Sequence, residues 1–338
     1  MNMPTALFTR TILTAVITVT ALFACDSGQK PRSTVEKSLP EVQIGRLICG
    51  GHLPLAIVEK MYQGDLSTFR LKTVQNQDWN DVVKDLKSGK LAGTFILSPL
   101  AMNLIRDGLP AKIVLKADTN GNGFVLSEKF KSINALKDRK SIIAVPHKFS
   151  QHHVLLHLSL KENDVPSGMV KVIGMPPRDM INSLRRGEID GFIVGEPEAN
   201  KSVELGVGWM AAISPMIWKN HMDHVFLATD DFINNHPGKL QQLVTALYRG
   251  GRFIEANPHK AAVMGEDYTG SMAAVFEKVL TTPPDWIDYT DMVPSARDMK
   301  EMANVMVEMG IWKDIPADLG KYTDLRFIKE TLKSAGNK

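Results

Sequence analysis

The sequence predicts an α/β protein of two lobes, and three observations predict it. Between residues 42 and 194, short apolar runs with strand periodicity alternate with helical patterns. From Leu240 onward the chain turns mostly helical, as a return segment closing the first lobe would. Its 338 residues are enough for about two domains. With 44% hydrophobic and 23% charged residues the chain can bury a sizeable core, so disorder is excluded as its main theme. A formal charge of +3 lacks the basic excess that phosphate-backbone binding leaves, so no nucleic acid is expected as a partner.

Residues 1–24 read as a lipoprotein signal peptide. One cation, Arg10, precedes an apolar run from Thr11 through Phe23 that is too short to span a bilayer as a helix, and Asp26, Ser27 and Gly28 follow at once. Leu22-Phe23-Ala24-Cys25 resembles a bacterial lipobox, with Phe23 where a small or aliphatic residue is usual. Cys25 is then the lipidated first residue of the mature chain, and Asp26 resembles the signal that keeps lipoproteins on the Gram-negative inner membrane. Cys49 is the only other cysteine, so an intrachain disulfide is excluded once Cys25 carries lipid. Residues 25–40 read as a tether, because Lys30 to Pro40 holds two prolines and four charges.

The body begins near Glu41. Val42 to Ile48 alternates as a strand, and Leu53 to Tyr62 carries helical spacing up to a Gly64-Asp65 turn. The unit repeats with strand Phe69 to Val74, helix Trp79 to Leu86, strand Leu91 to Ile96 and helix Pro99 to Ile105. A second set has strands near 113–115, 123–126, 142–145, 170–173 and 189–194, with helices near 150–161 and 177–185. Helices are predicted over 240–256, 258–264, 271–279 and 295–309, where Met292, Met299, Met302, Met306 and Met309 pack a core. The chain therefore crosses between lobes at least twice, and a ligand site belongs between the lobes, at the C-terminal ends of strands.

Several strand-to-helix junctions are polar: Gly50-Gly51-His52, Asn76 to Trp79, Ser98-Pro99, Lys148 to His152, and Pro176-Pro177. Unpaired N–H groups at converging helix starts make a site for an anion or polar solute, although each junction alone is ordinary capping. Asp118 to Gly123 matches the opening of an EF-hand loop, but Lys129 stands where the bidentate Glu belongs, so the segment reads as a polar turn. His153 and His157 could share a helix face as metal ligands, but no third ligand accompanies them, and His221 with His224 is read the same way. No metal or cofactor is called for. Neither a G-x-S-x-G elbow nor a Walker loop is present, which favours binding over catalysis.

Met175 to Pro197, MPPRDMINSLRRGEIDGFIVGEP, resembles the P-P-x-x-M-x-x-x-L-x-x-G-x-x-D-G-F-x-V-G-E-P stretch of the nitrate/bicarbonate substrate-binding proteins of ABC importers. The wider family includes the aliphatic-sulfonate and taurine binders and the proteins that handle thiamine pyrimidine precursors. His52-Leu53-Pro54-Leu55, Trp79, Ile96-Leu97-Ser98-Pro99 and Asn120-Gly121-Asn122-Gly123 keep the family's order. Ile217 to His224 resembles W-K-x-H-P-E-K, whose final lysine faces nitrate, with Met222 replacing the proline and His224 the lysine. The resemblance spans about residues 41 to 260.

The resemblance implies the two-lobed periplasmic-binding-protein (type II) fold, with a ligand cleft between the lobes. Lobe 1 takes residues 41–116 and 225–338, and lobe 2 takes 117–224. The implied ligand is a small anion or sulfonate-like solute, of the nitrate/nitrite, taurine or alkanesulfonate class. Candidate ligand-binding residues are Gly51, His52, Trp79, Ser98, Asn122, Ser150, Gln151, Glu196 and His224. Trp79 is expected as a flat wall, Ser98 and Ser150 as donors, and Asn122 and Gln151 as orienting groups. Glu196 either caps the helix beginning at Pro197 or meets a cation or donor on the solute. A histidine where nitrate binders carry lysine predicts anion binding that strengthens as pH falls. The expected protein is a monomeric, lipid-anchored periplasmic component, not an enzyme, that partners an ABC permease and ATPase. A sensor of the same fold signalling to a membrane receptor is the alternative.

Overall fold

The computed structural model describes residues 39–336, so the signal peptide, Cys25 and all but the end of the tether lie outside the described residues. The first strands are β1 (Glu41–Arg46), β2 (Arg70–Gln75), β3 (Gly93–Leu97) and β4 (Ala111–Lys116). There follow β5 (Thr119–Asn120), β6 (Asn122–Leu126), β7 (Ser141–Val145), β8 (Val170–Gly174), β9 (Gly191–Gly195), β10 (Trp209–Ile213), β11 (His224–Thr229) and β12 (Ile287–Asp288). They build two five-stranded sheets, in the orders β2-β1-β3-β11-β4 and β10-β6-β9-β7-β8, and β12 pairs with β5 in a small ribbon.

In the first sheet β1 is parallel to β2 and β3, whereas β11 runs antiparallel between β3 and β4. The second sheet repeats the arrangement, with β7 parallel to β8 and β9 and with β6 antiparallel to β9 and β10. Central strands read as unbroken apolar runs because both faces are covered, and β3 (GTFIL) and β9 (GFIVG) are buried at every residue. Helix Trp79–Lys87 starts where the Asp78 carboxylate accepts the N–H groups of Asn80 and Asp81. Helix Pro177–Arg185 has the predicted bounds, because Pro177 presets its first turn and Met180, Ile181 and Leu184 supply one buried face.

The C-terminal third thickens the first sheet. On one face, helix Ala296–Glu308 buries Met299, Met302 and Met306 against a core that includes Trp79, Val82 and Leu86, while on the other face helix Pro237–Ala256 buries Leu240, Leu243 and Leu247. The predicted helix over Leu53 to Tyr62 is α only through Ile57 and widens into a π turn over Val58–Tyr62. Periodicity does not reveal β10, β11 or helix Arg326–Gly336. β11 (HVFLAT) carries four apolar residues in a row, Val225 to Ala228, without alternation, because both its neighbours and both its faces bury it. Among the described residues, no helix is long and apolar enough to cross a membrane.

Candidate functional site

Both sheets end their strands at one seam. After β1 the chain turns through Gly50–His52 into the first helix, and β11 enters the same place at His224, opposite Leu97 of β3, so His224, expected as the last residue of lobe 2, belongs to the first sheet because it pairs there. From the other side come the start of helix Gln151–Glu162 and the end of β9. Between them lies a cavity of about 20 Å³, walled by Cys49, Trp79 and His224 on one side and Pro146, His152 and Gly195 on the other. That is the room of about one water molecule or a single small ion. The seam is closed over it: the Gly50 N–H donates to the Glu196 carbonyl at 2.8 Å, and Arg178 Nη1 donates to the Gln77 carbonyl at 3.0 Å.

His224 is the hub. Its ring centroid lies 5.8 Å from that of His52 and 5.9 Å from that of Trp79, and its Nε2 lies 3.6 Å from Cys49 Sγ. Gly51 makes the approach possible, because a Cβ there would fall 2.2 Å from His224 Nδ1. Nδ1 stands 2.9 Å from Asp223 Oδ2 and 3.4 Å from Asp118 Oδ1, close enough for charge pairing but outside hydrogen-bond geometry. Burial alone would discharge the ring, but the charges of Asp223, Cys49 and Asp118 override it and hold the His224 pKa well above the usual value. Burial and the neighbouring charge of Asp223 push the Asp118 carboxyl up to about 6, whereas His224 holds Asp223 below its usual value despite burial.

Three other buried imidazoles near the seam hold a proton less readily than usual. His52 is fully buried, and burial with the adjacent His224 charge lowers its pKa well below the usual value; its Nδ1 accepts the Leu47 N–H at 3.2 Å. Burial takes His152 down to about 3, and neither of its ring nitrogens has a hydrogen-bond partner among the described residues. His221 is engaged on both sides, by the Trp218 carbonyl at 2.7 Å and Asn122 Nδ2 at 3.2 Å.

Of the predicted residues, Trp79 and His224 line the cavity, while Gly51 and His52 pack against His224 without lining it. Gln151 reaches the hub from behind, donating to Asp223. Asn122 is turned to the backbone, donating to the Asn120 carbonyl at 2.8 Å. Ser98 and Ser150 serve the fold: Ser98 Oγ donates to the Met222 carbonyl at 2.9 Å, holding the entry to β11, and Ser150 Oγ caps its helix by accepting the His153 N–H at 3.1 Å. Glu196 takes the capping role, with Oε2 accepting the Asn200 N–H at 2.9 Å, and burial raises its pKa to about 8, which leaves it protonated at neutral pH. The helix-face pair His153 and His157 points elsewhere, to the Lys148 carbonyl and to Glu308. Sequence reasoning missed Cys49, Asp118, His152 and Asp223. The Cys49-x-x-His52 spacing was the available signal for the first; the carboxylates act only through a tertiary neighbour.

The molecule is thus two-lobed α/β, with a small cavity at its strand ends. The model of the NMT1-like family matches residues 36–266, and the chain belongs to that family. The nitrate/nitrite binding protein NrtA of Nostoc sp. PCC 7120 is 23% identical over 83% of this chain and 67% of its own length. The nitrate import ATP-binding protein NrtC of Synechocystis sp. PCC 6803 is 26% identical over 58% of this chain, which spans only 32% of that protein. Among solved structures, a zinc-bound ligand-binding component of an ABC-type import system from Staphylococcus aureus superposes with TM-score 0.79, at 20% identity, over 86% of this chain and 99% of its own. The periplasmic nitrate-binding protein NrtA of Synechocystis PCC 6803 superposes at TM-score 0.75 and 17% identity, over 88% and 89%. The alkanesulfonate-binding protein SsuA of Xanthomonas axonopodis pv. citri, bound to MOPS, gives TM-score 0.69 and 15% identity, over 82% and 95%. The two-lobed periplasmic-binding-protein fold is thereby shown.

Proposed function

We propose that this chain is the solute-binding component of an ABC importer, closing its two lobes on a small solute and presenting it to a permease and its ATPase. The observation that carries the reading is the small cavity at the seam, to which Cys49, Trp79 and His224 contribute from one sheet's side and His152 and Gly195 from the other's. A solute there touches both lobes at once, so its binding energy favours the closed form. The relatives are named as transport components, which supports a permease rather than a receptor as the docking partner. Export, lipid attachment at Cys25 and a periplasmic, membrane-anchored location complete the proposal, supported by the leader's composition and the periplasmic neighbours.

The solutes named for the relatives put nitrate, nitrite and sulfonates first for testing. In this chain the position resembling the nitrate-facing lysine is His224, whose charge is already drawn toward Asp223 and Asp118. A thermal-shift panel of nitrate, nitrite, bicarbonate, taurine and longer alkanesulfonates tests the reading. A solute at about 100 times its Kd should stabilise the native state by about 2.7 kcal/mol. A shift that persists in a Trp79→Ala protein would remove the cavity as the binding place.

A further inference from the structure

The donors around the cavity suit a metal ion better than an oxyanion. Among the described residues no Lys or Arg lines it; its wall carries a thiol, two imidazoles and the carboxylate of Glu198. Asp118 and Asp223 stand fully buried behind His224, so the surroundings supply negative charge. Cys49, His52 and His224 can each bring one donor atom within 4.8 Å of the others. Independently of that cluster, His152 reaches the same cavity from the second lobe, fully buried, with both ring nitrogens unpartnered. Such a group has lost its water without gaining a partner, and a bound ligand would offset that cost.

The hydrogen bonds sort the imidazoles by role. Leu47 N–H donates to His52 Nδ1, which places the neutral ring's proton on Nε2 and leaves His52 without a free lone pair. His152 keeps a lone pair in either tautomer. His224 turns Nε2 toward the sulfur while its Nδ1 faces two carboxylates, the outer-sphere arrangement that orients a metal-bound histidine.

We propose that this cleft binds one thiophilic transition-metal ion, of the Zn(II) or Cu(I) class, through Cys49 Sγ and His224 Nε2, which already stand together, with His152 turning its ring across the shared cavity to supply the third ligand and His52 as a positioning residue. The proposal rests on reading the cleft as the solute site, and it names a cation as the solute. Thiolate and imidazole together select soft and borderline ions over Mg(II) and Ca(II). Binding releases whatever proton Cys49 Sγ or His224 Nε2 carries beforehand. Because Cys49 and His224 come from one lobe and His152 from the other, the ion ties the lobes together. Three ligands leave one tetrahedral position open.

The test uses the full chain carrying Cys25→Ser, so that Cys49 is its single thiol, stripped of metal under reducing conditions. One equivalent of Co(II) should produce a thiolate-to-metal charge-transfer band in the near ultraviolet, and Zn(II) should displace it. Cys49→Ser, at a half-buried position, should abolish the band while the melting curve shows a folded protein. His152→Gln should weaken Zn(II) at least tenfold, and His52→Gln should weaken it ~10–100-fold with the band retained. No band at stoichiometric Co(II), or a band that survives Cys49→Ser, overturns the proposal. Melting of the stripped protein with nitrate and taurine separates the two readings. A shift there without a Co(II) band sinks the metal and keeps the solute cleft, whereas silence in both assays sinks both.

Discussion

The two walls of the cleft are built on different physical terms. On the first-lobe side, rings pack on rings: His52, Trp79 and His224 meet at centroid distances near 6 Å, over a glycine with no room for a Cβ. On the second-lobe side, most polar groups are committed to the fold, with Ser150 and Glu196 capping helices and Asn122 holding a turn. His152 differs in having neither ring nitrogen partnered, whereas Asn122 and Glu196 each leave one oxygen unpartnered among the described residues. The first-lobe wall is a constellation whose members fix one another, and the second-lobe wall is a scaffold in which His152 alone of these four side chains makes no hydrogen bond.

The comparison is broken most severely at the hub. Asp223→Asn should cost about 3–5 kcal/mol, because it leaves His224 buried with its main counter-charge removed; denaturant unfolding measures it, and a loss below about 1 kcal/mol would mean that the ring is not charged. Next is Glu196 on the opposite wall. Its pKa is about 8 when folded against an ordinary 4.5, so the folded chain keeps a proton that the unfolded chain releases across that window. Its stabilisation is complete below the unfolded value and is lost as pH rises through 8. Stability should therefore decline from pH 5 to 8 by a few kcal/mol, at about 1.4 kcal/mol for each pH unit crossed, with Asp118 adding in the same direction up to about 6. A Glu196→Gln protein whose pH slope matches wild type would contradict this.

Glycine substitutions sharpen the contrast directly. Gly51→Ala drives a Cβ into the His224 ring at 2.2 Å and should cost ~1–3 kcal/mol or more. The same change at Gly195 meets its nearest atoms at 3.7 and 3.8 Å and should stay within about 0.5 kcal/mol. Equal costs would show that the two walls are equally packed. The smallest effect on the site is expected at Ser150→Ala, about 1 kcal/mol of stability for a lost helix cap, with solute or metal affinity unchanged if Ser150 serves the helix alone.

Much of the fold was legible because local patterns carry it. Helix Pro177–Arg185 announces its start with proline and its buried face by spacing, and Met299, Met302 and Met306 fall on the side that helix Ala296–Glu308 buries, whereas Met292 packs in the core on the sheet's other face. β11 was not legible: a strand that crosses back to pair antiparallel between β3 and β4 has no local signature of its partners. Of the site, Gly51, His52, Trp79 and His224 could be picked from junctions and resemblance. His152 was passed over for its neighbour His153, since one residue along a helix turns a side chain by about 100° and only packing says which one faces the seam.

The sequence by itself determined the alternation of strands and helices, the capped helix starts, the polar junctions and the family pattern over residues 175–197, all of which depend on neighbours within a few positions. Tertiary structure decided which charges exist. Asp118 and Asp223 are ordinary acids in the sequence and His224 an ordinary histidine, but burial together raises the cost of every isolated charge and makes the three titrate jointly. Only the tertiary fold sets a thiol and two imidazoles, at residues 49, 152 and 224 and distant along the chain, around one small cavity.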